Sequence, residues 1–181
     1  MATLTQKLTN PLAMLAADHA YVKGAFSKCL QAESAVVRRV LVQEICDSLA
    51  IHATLEEDMF YPALARWGGE EGQRFVEDAL REHRDIKQSI AALREVQTGG
   101  PDFRPRLTAL QEAVVTHAER EEGHFPMAEA HLPLTQLAKQ MDLRRLQLMA
   151  QIRPPSGLAM IGLVLIGLGV FFFVKRRRQH G

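Results

Sequence analysis

Apolar residues recur at helical spacing through most of the chain. Asn10-Pro11 reads as a helix start, with Asn as the cap and Pro preset for the first turn. Leu12, Leu15, Ala16, His19, Val22, Phe26 and Leu30 then fall on one helical face. A second series opens at Ser34. It runs through Val37, Val40, Leu41, Ile45, Leu49, His52, Leu55 and Met59 to near Trp67, where Gly68-Gly69 ends it. A third covers about residues 70–97, with Phe75, Val76, Ala79, Leu80, His83, Ile86, Ile90 and Leu93 inward. Residues 98–102, Thr-Gly-Gly-Pro-Asp, form a turn cluster. A fourth series spans about 103–123, with Leu107, Leu110, Val114, His117 and Glu121 on one stripe.

Four long helices with short connections predict an all-α fold, an up-down-up-down four-helix bundle over residues 10–130. A segment over 131–156 follows. It holds a short basic amphipathic helix, 134–152, and its Lys139, Arg144, Arg145 and Arg153 suit lipid head groups. Residues 157–174 then carry no charged side chain. As a helix they would span roughly 27 Å, enough for a bilayer core. Lys175-Arg176-Arg177-Arg178 open a basic tail over 175–181. The expectation is a C-terminal transmembrane helix on a single-pass membrane protein, with the bundle cytoplasmic.

Charge supports this division. The net of +1 comes from 22 bases and 21 acids, but four of the bases lie in the tail. The first 156 residues thus hold 18 bases against all 21 acids, a net of −3. That excludes a general nucleic-acid binder. Two cysteines exclude both a disulfide framework and a thiolate zinc module.

The informative residues are histidines. Each of the four apolar stripes includes one: His19, His52, His83 and His117. An imidazole suits a dry core only when its ring nitrogens have partners. Two of the four carry a carboxylate one turn on, Glu56 after His52 and Glu121 after His117, on the same helical face. Residues 52–60, HATLEEDMF, and 117–125, HAEREEGHF, share the pattern H-A-x-x-E-E-x-x-F, with Pro62 and Pro126 just after. Asp18-His19 and Glu82-His83 share an acid-His pair. The spacing repeats as well, 33 residues from His19 to His52 and 34 from His83 to His117. This is an internal duplication of a helix pair. Folded antiparallel, the halves bring four imidazoles and two carboxylates to the bundle centre. Such donors suit Fe or Mn better than structural zinc.

On Asp18-His19, His52-x-x-x-Glu56 with Phe60-Tyr61-Pro62, Glu82-His83, and His117-x-x-x-Glu121 with Phe125-Pro126, the sequence resembles the hemerythrin-like HHE cation-binding domains. The resemblance implies two non-haem irons joined by an oxo or hydroxo bridge. His19 and His52 would bind one, His83 and His117 the other, and Glu56 and Glu121 would bridge them. Oxygen-carrying hemerythrins have a further His where Lys87 stands, and bridge with an Asp five residues after the fourth-helix His, whereas Glu121 is four after. The ligand count then leaves one open position on each iron. The implied function is binding or reduction of O2, NO or H2O2. A non-enzymatic iron or oxygen sensor, or an iron buffer, is the alternative.

Other residues carry milder expectations. Glu57 and Glu122 point about 140° away from the ligand histidines and suit salt bridges. Phe60 and Phe125 suit packing over the site. Tyr61 can reach a bound ligand, while Tyr21 faces away from His19. Lys87 points outward, His124 and His131 lie at the surface, and Cys29 and Cys46 are buried thiols.

Overall fold

The computed structural model describes residues 10–152. Those residues are helical apart from short connections, forming a helical bundle. Helix α1 spans Pro11–Gln31 and α2 spans Ala35–Leu55. A π-helical turn, Glu56–Phe60, leads into α3, Tyr61–Trp67. Helix α4 spans Gly69–Arg94, α5 Phe103–Gly123, α6 Phe125–His131 and α7 Leu134–Ile152. The compact unit that carries the contacts below ends at Leu146.

The helix ends follow local chemistry. Asn10 Oδ1 accepts from the Leu12 amide at 2.9 Å, satisfying one of the free donors of the first turn. Gly69 adopts φ of 63°, a conformation glycine takes without steric cost, and so reverses the chain between α3 and α4. A Cβ on Gly72 would stand 2.6 Å from the Leu64 carbonyl oxygen, so these two helices meet backbone to backbone.

Contacts fix the directions. His19 meets His52 while Cys29 meets the Arg38 carbonyl, so α1 and α2 run antiparallel. Asp47 meets Arg94 while Glu57 meets His83, which sets α2 against α4 in the same sense. Arg104 reaches the Leu30 carbonyl while Glu122 reaches His19, which opposes α5 to α1. Phe26, Ile45, Leu93, Phe103, Leu107 and Leu110 build the apolar core at one end. At the other, Phe60 meets Phe125 edge to face at 6.4 Å, and Tyr61 meets Phe75 at 6.2 Å. The histidine layer lies between.

Three sequence expectations change. The second helix does not run evenly to Trp67, because the π turn interrupts it at Glu56. Val37 and Val40 are not core: both are exposed, and the buried face of α2 begins at Val42. Two arginines of α7 have carboxylate partners on the bundle. Arg144 pairs with Asp58 at 2.7 Å and Arg145 pairs with Asp18, both within the bundle.

The single-pass membrane placement does not stand either. No helix among the described residues is long and apolar enough to cross a membrane. The expected span, 157–174, and the tail, 175–181, lie outside the described residues.

Candidate metal centre

All six residues singled out by the duplication meet in the middle of the bundle, and all are buried. His19 comes from α1, His52 from α2, His83 from α4 and His117 from α5, while Glu56 opens the π turn and Glu121 lies in the last turn of α5. Two groups of donors form. His19, His52, Glu56 and Glu121 lie within reach of one cation, and Glu56, His83 and His117 lie within reach of another. Glu56 belongs to both.

The imidazoles face one another through Nε2. The separation is 3.0 Å between His19 and His52, and 3.1 Å between His83 and His117. His52 Nε2 lies 2.8 Å from Glu56 Oε1, His83 Nε2 3.2 Å from Glu56 Oε2, and His19 Nε2 3.3 Å from Glu121 Oε2.

Each outer nitrogen is held by a carboxylate. His19 Nδ1 meets Glu122 at 2.8 Å, and His83 Nδ1 meets Glu57 at 2.8 Å. His117 Nδ1 meets Glu82 at 2.8 Å, and His52 Nδ1 meets Asp18 at 3.4 Å. A carboxylate cannot donate, so Nδ1–H is the donor, and a neutral ring then presents its Nε2 lone pair to the centre. Glu56 Oε1 and both Glu121 oxygens are buried without a hydrogen-bond partner among the described residues. Nitrogen and oxygen lone pairs therefore crowd together with too few protons to satisfy them all. Such a cluster calls for cations, and imidazole with carboxylate is a set that binds them.

Protons respond as they would where a cation belongs. Burial opposes the charged form of His52, but the charges and hydrogen bonds of Glu56 and Asp18 prevail and push it up to about 10. Burial and the charge of Glu56 push Glu121 up to about 7. Glu56, despite burial, is held well below the usual carboxylate range by His52 and His83.

The hemerythrin HHE cation-binding domain matches residues 10–142. This chain belongs to that family. It is 33% identical over 85 residues to a hemerythrin-like protein of Schizosaccharomyces pombe, covering 46% of this chain and 42% of that one. It thus spans less than half that relative's length. A protein of Mycobacterium tuberculosis is 27% identical over 127 residues, 70% of this chain and 76% of the other. The crystal structure of a hemerythrin HHE cation binding domain-containing protein from Mycobacterium kansasii superposes with a TM-score of 0.67 at 23% identity. It covers 84% of this chain and 97% of that one, and it supports the fold.

Two features of this hemerythrin-like site go beyond the sequence reading. Glu57 and Glu122 do form salt bridges, but each does so across the duplication, orienting a histidine of the other half. Lys87 points outward as expected and binds both oxygens of Glu57 at 2.7 Å. The second feature is Tyr61. Its hydroxyl lies 3.2 Å from His83 Nε2 and 3.4 Å from His117 Nε2, inside the second donor group. Burial, with the charges of Glu56 and Glu121 nearby, raises its pKa far above that of an ordinary phenol. It is therefore a neutral donor in the absence of a cation.

The signal for Tyr61 was present in the sequence. Phe60 and Phe125 are 65 residues apart, but Pro62 and Pro126 are 64 apart, so Tyr61 is one residue extra in the first half. A helix takes up one added residue as a π turn, and here the Tyr61 amide bonds back to the Glu56 carbonyl. The remaining assignments follow their places in the fold. Tyr21 is exposed and bonded to Glu44. Cys29 and Cys46 are buried free thiols. His131 is exposed, but His124 is half-buried, its ring 4.2 Å from that of Phe75, so it is not a plain surface residue.

Proposed function

We propose that the chain is a non-haem di-iron protein that binds or reduces a small ligand, O2, NO or H2O2. His19 and His52 hold one iron, His83 and His117 the other, and Glu56 and Glu121 lie between; manganese suits the same donors. The observation that carries this reading is the meeting of four Nε2 atoms with three unpartnered, fully buried carboxylate oxygens. Membership of Glu56 in both donor groups supports its bridging role. Glu121 belongs to the first group, and its charge reaches Tyr61 in the second.

Tyr61 makes the two irons unequal. Its hydroxyl takes up space on the His83–His117 side, so the more open position falls to the His19–His52 side. Iron held by these residues would supply the redox chemistry toward a diatomic or peroxide. The protein fixes the ring tautomers through the four outer carboxylates and keeps water out with the Phe60–Tyr61–Phe125 layer.

Optical spectra of the iron-loaded protein mixed with O2, NO and H2O2 test the proposal. A spectral change with at least one ligand, lost in His52→Ala, is expected. Unchanged spectra with all three would contradict it.

A further inference from the structure

The imidazoles form the inner end of a cleft far too large for a diatomic. Its volume is about 300 Å³, where a water molecule's share of liquid is ~30 Å³. The cleft is of the size that holds small organic ligands. It is lined on α4 by His83, Ile86, Lys87, Ile90, Ala91 and Arg94. That spacing is one face of a helix, and eleven residues of rise make it roughly 16 Å long. Leu49, Ala50 and Ala53 line it from α2. The alanines leave room where larger side chains would have closed the gap.

The two ends differ in chemistry. Since α2 and α4 run antiparallel, His52 and His83 lie at one end, and Cys46 and Arg94 at the other. The middle is aliphatic, with Val22 and Val114 reaching in from α1 and α5. Two cations line the cleft. Lys87 is taken up by both oxygens of Glu57. Arg94 is half-exposed, and its ion pair with Asp47 is long, at 3.9 Å, while Asp47 Oδ1 takes a closer 2.6 Å bond from Gln43. A guanidinium has five donors in a fork that matches a carboxylate, so Arg94 can take a second one.

We propose that this cleft binds a medium-chain aliphatic carboxylate, its head on Arg94 and its chain running along Ile90, Leu49 and Ile86 toward the imidazoles. The site is read from the cleft walls and does not depend on the metal.

Calorimetric titration of the metal-free and the iron-loaded protein with decanoate tests it, with metal content measured on the same samples. Saturable binding is expected in both forms. Ala91→Trp, on the cleft's outer wall, is expected to abolish it, and Arg94→Gln to weaken it about tenfold or more, with helix content by circular dichroism unchanged. Decanol, lacking the charge, is expected to bind the wild type about as weakly as decanoate binds Arg94→Gln. Absence of binding in both forms overturns the proposal, as does decanoate binding that survives Ala91→Trp or is indifferent to Arg94→Gln. Decanoate binding in protein that takes up no iron would uphold this site while contradicting the metal centre.

Discussion

Arg145 on α7 grips Asp18 on α1, with Nη1 2.9 Å from Oδ1. Asp18 in turn meets Nδ1 of His52. A side chain outside the four long helices thereby sets the orientation of a candidate ligand. The burial of Asp18 would raise its pKa, but the hydrogen bonds from His52 and Arg145 prevail and lower it, keeping the carboxylate charged. Arg145→Gln is expected to weaken iron at the His19–His52 position by about 10- to 100-fold, the usual cost of losing an outer partner. Arg144→Gln serves as the contrast, since its partner Asp58 is exposed and such a pair contributes only about 0–1 kcal/mol. Chelator competition on both variants makes the comparison.

The crossed outer carboxylates give a second pair of variants. Glu57→Ala removes the partner of His83, and Glu122→Ala removes that of His19. Each is expected to weaken one iron and spare the other, so release by chelator should become biphasic. A single phase in both variants would show that these carboxylates do not act on separate irons.

Tyr61→Phe isolates the hydroxyl that makes the two halves unequal. Without metal, burial and the charges of Glu56 and Glu121 keep the phenol protonated. Ferric iron held by His83 and His117 would reverse that balance by adding positive charge beside the phenol. The iron-loaded wild type is expected to show a visible phenolate-to-iron band that Tyr61→Phe lacks, with iron content retained. Visible spectra of both proteins, wild type and variant, check this.

Metal uptake is expected to displace protons. Glu121, pushed up to about 7, and His52, pushed up to about 10, both hold protons at pH 6 in the metal-free protein. At pH 8 Glu121 has already lost its proton while His52 still holds one. Loading in weakly buffered solution should therefore release more acid at pH 6 than at pH 8, and affinity, already falling below pH 10 through His52, should fall more steeply below 7. Equal release at both values would contradict this assignment of the protons.

Much of the fold was legible because it rests on periodicity. The starts at Pro11 and Phe103 and the span of α7 follow directly from caps, glycines and apolar spacing. The six central residues were legible because a duplicated motif fixes the same register twice. Their outer partners were not, since a helical wheel shows only that Glu57 and Glu122 leave the ligand face. Which histidine each then meets depends on how neighbouring helices pack. Val37 and Val40 are exposed because they fall on the face of α2 opposite the buried Ile45, Cys46 and Leu49, a phase that the loose apolar spacing at this end did not fix. The arginines of α7 read as a membrane-facing stripe because sequence gives charge without giving the partner.

The duplication would give a pair of irons held by histidine and glutamate from both halves. Metal analysis with Mössbauer spectroscopy of the iron-loaded protein tests it most directly. About two irons per chain are expected, one for each donor group, as a magnetically coupled pair, with the pair lost in His52→Ala. Iron well below that level, or a coupled pair that persists in His52→Ala, would contradict it.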